Sequence, residues 1–162
     1  MGFTARRDFL VSIRPTHAEN IAKGLKTVEL RRRFSEDAEG ATILIYSTSP
    51  TRAIIGSAAI AGVRRLSLKV LWDQYGEAAC VDRQAFDGYF RDLKEGYAIL
   101  LANVRVFACA VAATHLKEKF GFVAPQSFMY LRREYYPLLK HEHIQAPDRH
   151  ERLHRTRRSK AS

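Results

Sequence analysis

The chain has 162 residues, of which 46% are hydrophobic, and a formal net charge of +10 at pH 7. Its size predicts one globular domain, and its charge favours a polyanionic partner, with nucleic acid ahead of a membrane surface. No apolar run reaches transmembrane length and no hydrophobic signal segment follows Met1, so we expect no membrane partner. Cys80 and Cys109 lack CxxC spacing and lie among apolar residues, which predicts buried free thiols in a cytoplasmic protein.

Short strands and helices follow one another along the chain. Residues 9–13 predict a strand, after which Pro15 and the capping-box pair Thr16 and Glu19 predict a helix that ends at Gly24. Further strands are predicted at 26–34, 42–47, 53–63 and 97–107, and further helices at 68–75, 82–93, 115–120 and from Tyr130 onward. Because only a loop separates the strands at 42–47 and 53–63, we expect an α+β fold with a small mixed β-barrel instead of a doubly wound parallel sheet.

A helical insertion between the later strands carries four apolar residues on one face, namely Phe86, Tyr89, Phe90 and Leu93. Aromatic rings at this spacing either pack into a core or offer stacking surfaces for bases. Core packing is the favoured interpretation.

Composition changes near the end of the chain, where basic residues and histidines replace apolar ones. We therefore predict a domain at 1–144 and a mobile basic tail at 145–162, which adds non-specific electrostatic affinity for RNA. His150, Glu151 and His154 satisfy the zinc-protease pattern HExxH, but a basic tail lacks the rigid helix and third ligand that this chemistry needs. We interpret the match as chance and predict no metal site.

The most highly charged segment follows Gly24. It alternates like a strand, so that Glu29, Arg31 and Arg33 point to one side, with Lys26 at its start. This face is either a salt-bridged solvent surface or a strip that holds an anion together with a flat hydrogen-bonding group. A nucleotide offers both.

A second polar segment, Tyr46 to Arg52, is rich in hydroxyl groups and lies between two predicted strands. It is either an ordinary polar turn or a source of short hydrogen-bond donors for phosphate oxygens.

Together these segments resemble the ASCH family of the PUA-like superfamily of small β-barrels associated with RNA. The family signature Gly-x-Lys-x-x-Glu-x-Arg stands intact as Gly24, Lys26, Glu29 and Arg31. Neighbouring segments at 12–15, 44–50 and 124–128 also fit, and the resemblance covers roughly residues 9–131.

The resemblance implies a five- or six-stranded barrel with a cleft between the first helix, the signature strand and a late loop. That cleft is expected to bind RNA or a nucleotide. Lys26 and Arg31 would neutralise phosphate, while Glu29 would accept hydrogen bonds from a base edge or orient the cations. The expected binding residues are Lys26, Glu29, Arg31, Arg33, Tyr46, Ser47, Ser49 and Arg52. Binding is expected to need no cofactor.

Two hydrolase activities are the alternatives to simple binding. A ribonuclease would use Lys26, Tyr46, Arg52 and Ser127, with cations stabilising the charge that develops on phosphorus and a divalent metal as an open question. An acetylcytidine-type amidohydrolase would use Lys26, but Glu29 stands where that group has a threonine, and of the later glutamates only Glu77 and Glu95 are candidates. His17 on the first helix is left unassigned. A regulator acting through protein contacts is the third class, and the oligomeric state stays open.

Overall fold

The computed structural model describes residues 7–140 and, for the backbone alone, residues 143–145. These residues form one mixed sheet with helices on its flanks. In chain order the elements are β1 (Phe9–Ile13), α1 (Pro15–Ala22), β2 (Val28–Arg31), β3 (Thr42–Ser47), β4 (Ala53–Ser67), α2 (Leu68–Tyr75), α3 (Arg83–Tyr89), β5 (Glu95–Ala112), α4 (Ala113–Phe120), β6 (Phe128–Tyr130), a 3-10 helix (Arg133–Lys140) and β7 (His143–Gln145).

The sheet runs in the order β2-β5-β4-β3-β1-β6, with β7 beside β5, and curls into a half-barrel. β1 and β3 are parallel, whereas the other strand pairs are antiparallel. Three register shifts between the long antiparallel strands β4 and β5 bend this strand pair, because each bulge raises the local twist. At the first of them Gly56 has no room for a side chain, since a Cβ there would collide with the carbonyl oxygen of Arg105.

Apolar residues of the sheet divide among three cores. Alternate residues of β1 and β3 face opposite sides, so Phe9 and Ile43 join a first core under α1, while Leu10 and Leu44 join a second. The third core lies beneath the α2–α3 insertion, where Val28 of β2 is one member. β2 therefore has one face fixed by packing, and its other face is left for polar side chains.

The predicted fold class is confirmed, with differences at the element ends. β2 stops at Arg31 instead of Phe34, β4 and β5 run further than predicted, and the last helix is a 3-10 helix that begins at Arg133. The predicted capping box of Thr16 and Glu19 is wrong: Arg14 is the N-cap of α1, and no side chain caps it. Pro15 fixes φ at the first helical position, which places Thr16 inside the helix.

The two cysteines are free, but the prediction that both are buried is wrong. Cys80 is partly buried and its thiol donates to the Leu25 carbonyl oxygen at 3.2 Å. Cys109 is exposed, because the register shift between Ile54 and Gly56 leaves residues 107–110 outside the ladder with β4.

The predicted tail beyond Gln145, including the HExxH pattern, lies outside the described residues, so the boundary near residue 144 stays a prediction. None of the helices in the described part of the chain is long and apolar enough to span a membrane.

Candidate nucleic-acid cleft

A cleft of about 870 Å³ opens beside β2, bounded by α1, by α3 of the insertion and by the loop that precedes β6. Its volume is typical of small-molecule sites. Its polar lining includes His17, Lys26, Glu29, Arg31 and Ser127. Its apolar lining includes Phe86, Tyr89, Phe90, Leu93 and Phe128.

The turn after α1 brings Lys26 to this cleft. Gly24 adopts φ = +70°, a backbone region that favours glycine, and the Leu25 and Lys26 amides both donate to the Asn20 carbonyl oxygen at 2.9 and 3.0 Å. In the following strand Val28 and Leu30 pack into the third core, so Glu29 and Arg31 face away from it. The spacing of the signature thus brings its three ions together.

Lys26, Glu29 and Arg31 form one buried ionic group, here called the β2 triad. Glu29 Oε2 lies 3.3 Å from Lys26 Nζ, and Glu29 Oε1 lies 3.4 Å from Arg31 Nη1. All three residues are nearly inaccessible, at 2%, 6% and 8% exposure respectively. Because Glu29 lies between the two cations, it orients both of them.

Further hydrogen bonds from the triad reach parts of the chain that are distant in sequence. Lys26 Nζ donates to the Ala79 carbonyl oxygen in the insertion at 2.5 Å. Arg31 Nη1 donates to the Ser12 carbonyl oxygen of β1 at 3.0 Å, and Nη2 donates to Ser127 Oγ at 2.6 Å. Arg31 therefore bridges the edge strand β2 to β1 and to the late loop across the open side of the half-barrel.

The late loop is itself fastened to β1 at Ser12. The Ser12 amide donates to the Ser127 carbonyl oxygen at 2.9 Å, and the Ser12 hydroxyl donates to the Pro125 carbonyl oxygen at 2.6 Å. Ser127 is exposed in the cleft. Its Oγ is used as an acceptor by Arg31, which leaves its O–H free to donate to a bound group.

The charges of the triad do not balance, since two cations share one carboxylate. Main-chain carbonyl groups lower the cost of this burial by accepting from both cations. They carry no net charge, however, and an excess of one positive charge remains beside the cleft. An anion that enters the cleft supplies the missing countercharge.

His17 of α1 lines the same cleft. Its Nδ1 is the buried side-chain polar atom without a hydrogen-bond partner among the described residues. Burial lowers the pKa of His17 below 6.5, and nearby Lys26 lowers it further, against a weaker opposing effect of Glu29. The imidazole is therefore neutral at pH 7 and able to accept a proton.

Tyr89 of α3 lies near the end of β2, where its hydroxyl accepts a hydrogen bond from the Arg32 amide at 3.3 Å. Burial raises the pKa of Tyr89, and Arg31 opposes this rise more weakly. The phenol is neutral at pH 7, so Tyr89 contributes a hydrogen-bonded aromatic ring and no charge.

The structure brings together part of the predicted site. Lys26, Glu29, Arg31, Arg33 and Ser127 all line the cleft.

The other predicted residues are not among the lining residues of this cleft: Tyr46, Ser47, Ser49 and Arg52. Tyr46 follows Leu44 by two residues and so joins the second core, where its ring lies 5.5 Å from that of Phe122. Ser47 is buried, whereas Ser49 and Arg52 are exposed. In the hydroxyl-rich segment Thr48 alone lines the cleft.

Sequence reasoning left His17 unassigned and favoured a core role for Tyr89. The helical pattern of the insertion includes Tyr89 but cannot separate it from its neighbours Phe86 and Phe90, which do pack in the core. The signal for His17 is its position at the start of the helix that precedes the signature.

Two other predictions concern a glutamate for an amidohydrolase and the presence of a metal site. Glu77 and Glu95 are both exposed outside it, and Glu95 pairs with Arg65 at 2.9 Å. Within residues 7–140, no three His, Cys, Asp or Glu side chains are grouped so as to hold a metal ion.

We expect Glu29→Gln to lower the free energy of unfolding by about 3 kcal/mol, because it leaves Lys26 and Arg31 buried without a carboxylate. Denaturant unfolding measures this loss. The matched control is Glu36→Gln, which breaks an exposed ion pair with Arg65 and should cost no more than about 1 kcal/mol. Equal losses in the two variants would contradict a buried triad.

We also expect His17 to make the fold sensitive to mild acid. Its pKa is lowered in the folded chain and lies near 6.5 in the unfolded chain, so below pH 6.5 the unfolded chain binds more protons and stability falls. Above pH 6.5 the residue is neutral in both states and has no effect. The measurement compares the free energy of unfolding at pH 7.5 and 5.5, where His17→Gln should lose less stability than the unmodified chain. An identical loss of stability in both proteins would show that folding does not shift the pKa of His17.

Comparisons with known proteins identify the family to which this fold belongs. The ASCH domain family model matches residues 11–127. An ASCH domain-containing ribonuclease of Zymomonas mobilis is 34% identical over 130 residues, which are 80% of this chain and 87% of the relative.

Solved structures give the same result. The crystal structure of ASCH from Zymomonas mobilis superposes with a TM-score of 0.77 at 32% identity, covering 86% of this chain and 98% of that one. The N-terminal domain of Staphylothermus marinus McrB shares the fold alone, with a TM-score of 0.51 at 15% identity over 82% of this chain and 92% of that domain. The chain belongs to the ASCH family.

Proposed function

We propose that this protein binds RNA in the cleft, with a phosphate group of the RNA beside the β2 triad. The observation that best supports this proposal is the excess positive charge in the lining of the cleft, where Lys26 and Arg31 share the single carboxylate of Glu29. The cleft is also large enough for a nucleotide. Arg31 has a guanidinium group, whose flat fork suits a phosphate better than a single ammonium does.

Exposed arginines at the mouth of the cleft support the same proposal. Arg14, Arg32 and Arg33 all line it and are exposed. They extend the positive region from the buried triad to solvent, so neighbouring phosphates of a strand meet cations as well. A free phosphate needs no such extension, and this favours a polymer over a small anion.

The binding test uses the exposed arginines, because Lys26 and Arg31 are buried and alanine at either position would disturb folding along with binding. Arg32→Gln/Arg33→Gln should weaken binding of a fluorescent RNA oligonucleotide several-fold and reduce the dependence of log Kd on log salt concentration. The control Arg64→Gln/Arg105→Gln removes the same charge from exposed positions outside the cleft. Equal weakening by both pairs would mean that RNA senses only net charge, and the cleft would lose its assignment.

The second candidate function is cleavage of the bound RNA, which is favoured by the name of the Zymomonas mobilis relative. In cleavage by the adjacent 2′-hydroxyl, the 2′-oxygen bonds to phosphorus while its proton passes to a base. The bond from phosphorus to the 5′-oxygen breaks, the 5′-oxygen takes up a proton from the protonated base or from water, and a 2′,3′-cyclic phosphate remains. Lys26 and Arg31 suit the negative charge that develops on the phosphate oxygens. Neutral His17 suits the proton acceptor, and the Ser127 hydroxyl is free to donate to a phosphate oxygen.

For cleavage, we expect Ser127→Ala to slow turnover of labelled RNA at least about tenfold, since it removes a donor to the charged oxygens. The variant also loses the hydrogen bond that Arg31 Nη2 donates to Ser127 Oγ, so it should be somewhat less stable, and thermal unfolding must show that it is folded at the assay temperature. Ser35→Ala, outside the cleft, is the control, and parallel reactions with EDTA and with Mg²⁺ report the need for metal. Products that form at the same rate with Ser127→Ala would point to a contaminating nuclease. Tyr46→Phe shows whether a hydroxyl of the second core also contributes.

A further inference from the structure

Tyr89 lines the cleft but is not part of the third hydrophobic core. Phe86 and Phe90 are 2% and 1% exposed and already seal the third core beneath the insertion. Tyr89, between them in the chain, is 43% exposed and lines the cleft. Its hydroxyl end is buried, but two fifths of the residue remains exposed and accessible to a bound group.

The ring of Tyr89 is nevertheless held in place. It meets the Phe90 ring edge-on, with centroids 4.8 Å apart and planes at 77°. Its hydroxyl is fixed by the Arg32 amide at the end of β2, next to Arg31 of the triad. An aromatic ring that is both exposed and anchored is preorganised to stack against a flat partner.

We infer that Tyr89 is the base-stacking surface of the cleft, and that the cleft takes an unpaired base of single-stranded RNA whose phosphate lies at the β2 triad. This inference rests on the proposed function. A nucleotide has an anionic group and a flat ring, and the lining of the cleft offers an excess cation and a partly exposed aromatic ring. In a duplex the bases are stacked on each other and paired, so a base reaches Tyr89 only after leaving the helix.

The test measures binding of a short single-stranded RNA that contains 2-aminopurine, whose fluorescence is quenched on stacking. Tyr89→Leu should weaken binding at least about tenfold and remove the quenching, because leucine keeps apolar volume without an aromatic face. Tyr89→Phe keeps the ring and should bind within about twofold of the unmodified chain. The matched control is Tyr136→Leu, which changes a tyrosine of 38% exposure on the 3-10 helix, away from the cleft. Thermal unfolding checks each variant, and Tyr89→Met replaces the leucine variant if that one fails to fold.

Two further RNA ligands distinguish the contribution of the base to binding from that of the sugar-phosphate backbone. The same sugar-phosphate chain with abasic residues should bind the unmodified chain and Tyr89→Leu equally, and the blunt duplex should bind more weakly than the single strand. Tyr89→Leu with full affinity and quenching, or a duplex bound as tightly as the single strand, would overturn this inference and leave the proposed function standing. Loss of the proposed function would appear differently, as binding that is unchanged by Arg32→Gln/Arg33→Gln.

Discussion

The architecture of the cleft depends on the pairing of Glu29 with two buried cations. A single buried ion of either sign would be costly, and a one-to-one pair would leave no charge for a ligand. Glu29 lies within 3.4 Å of both cations and holds them at fixed positions. The remaining imbalance of one positive charge is then present in a rigid, water-poor setting, where an electrostatic contact is stronger than at the surface.

The same three residues also hold the fold together around the cleft. Lys26 reaches Ala79 of the insertion, while Arg31 reaches Ser12 of β1 and Ser127 of the late loop. The insertion and the late loop, two of the boundaries of the cleft, are thus tied to the group that charges it. This explains why a short motif specifies so much: its spacing sets the charge of the site, and its long side chains set the positions of the walls.

Much of this arrangement was predictable from the sequence, because strand alternation is a local rule. Alternation placed Glu29 and Arg31 on one side of β2. A second local rule, the preference for glycine after a helix, placed the end of α1 near Gly24. Strand alternation does not determine how deeply each side chain is buried. Tyr46 obeys the same alternation but joins the second core, because the partners of β3 decide which face is covered. Tyr89 shows the opposite error: it was predicted to pack in the core, but it is partly exposed. A helical pattern cannot tell which of several neighbouring rings is buried.

The two kinds of positive charge in this chain have different consequences for recognition. In the proposed function, exposed arginines such as Arg33 act through solvent, so their attraction for RNA would be screened by salt and would not depend on base identity. The triad acts at short range in a buried setting and is screened much less. In the proposed stacking role, the ring of Tyr89 adds a contact that requires an accessible base. The two proposals together assign attraction to the many exposed cations and selection to the few groups that line the cleft, several of which the β2 triad holds in position.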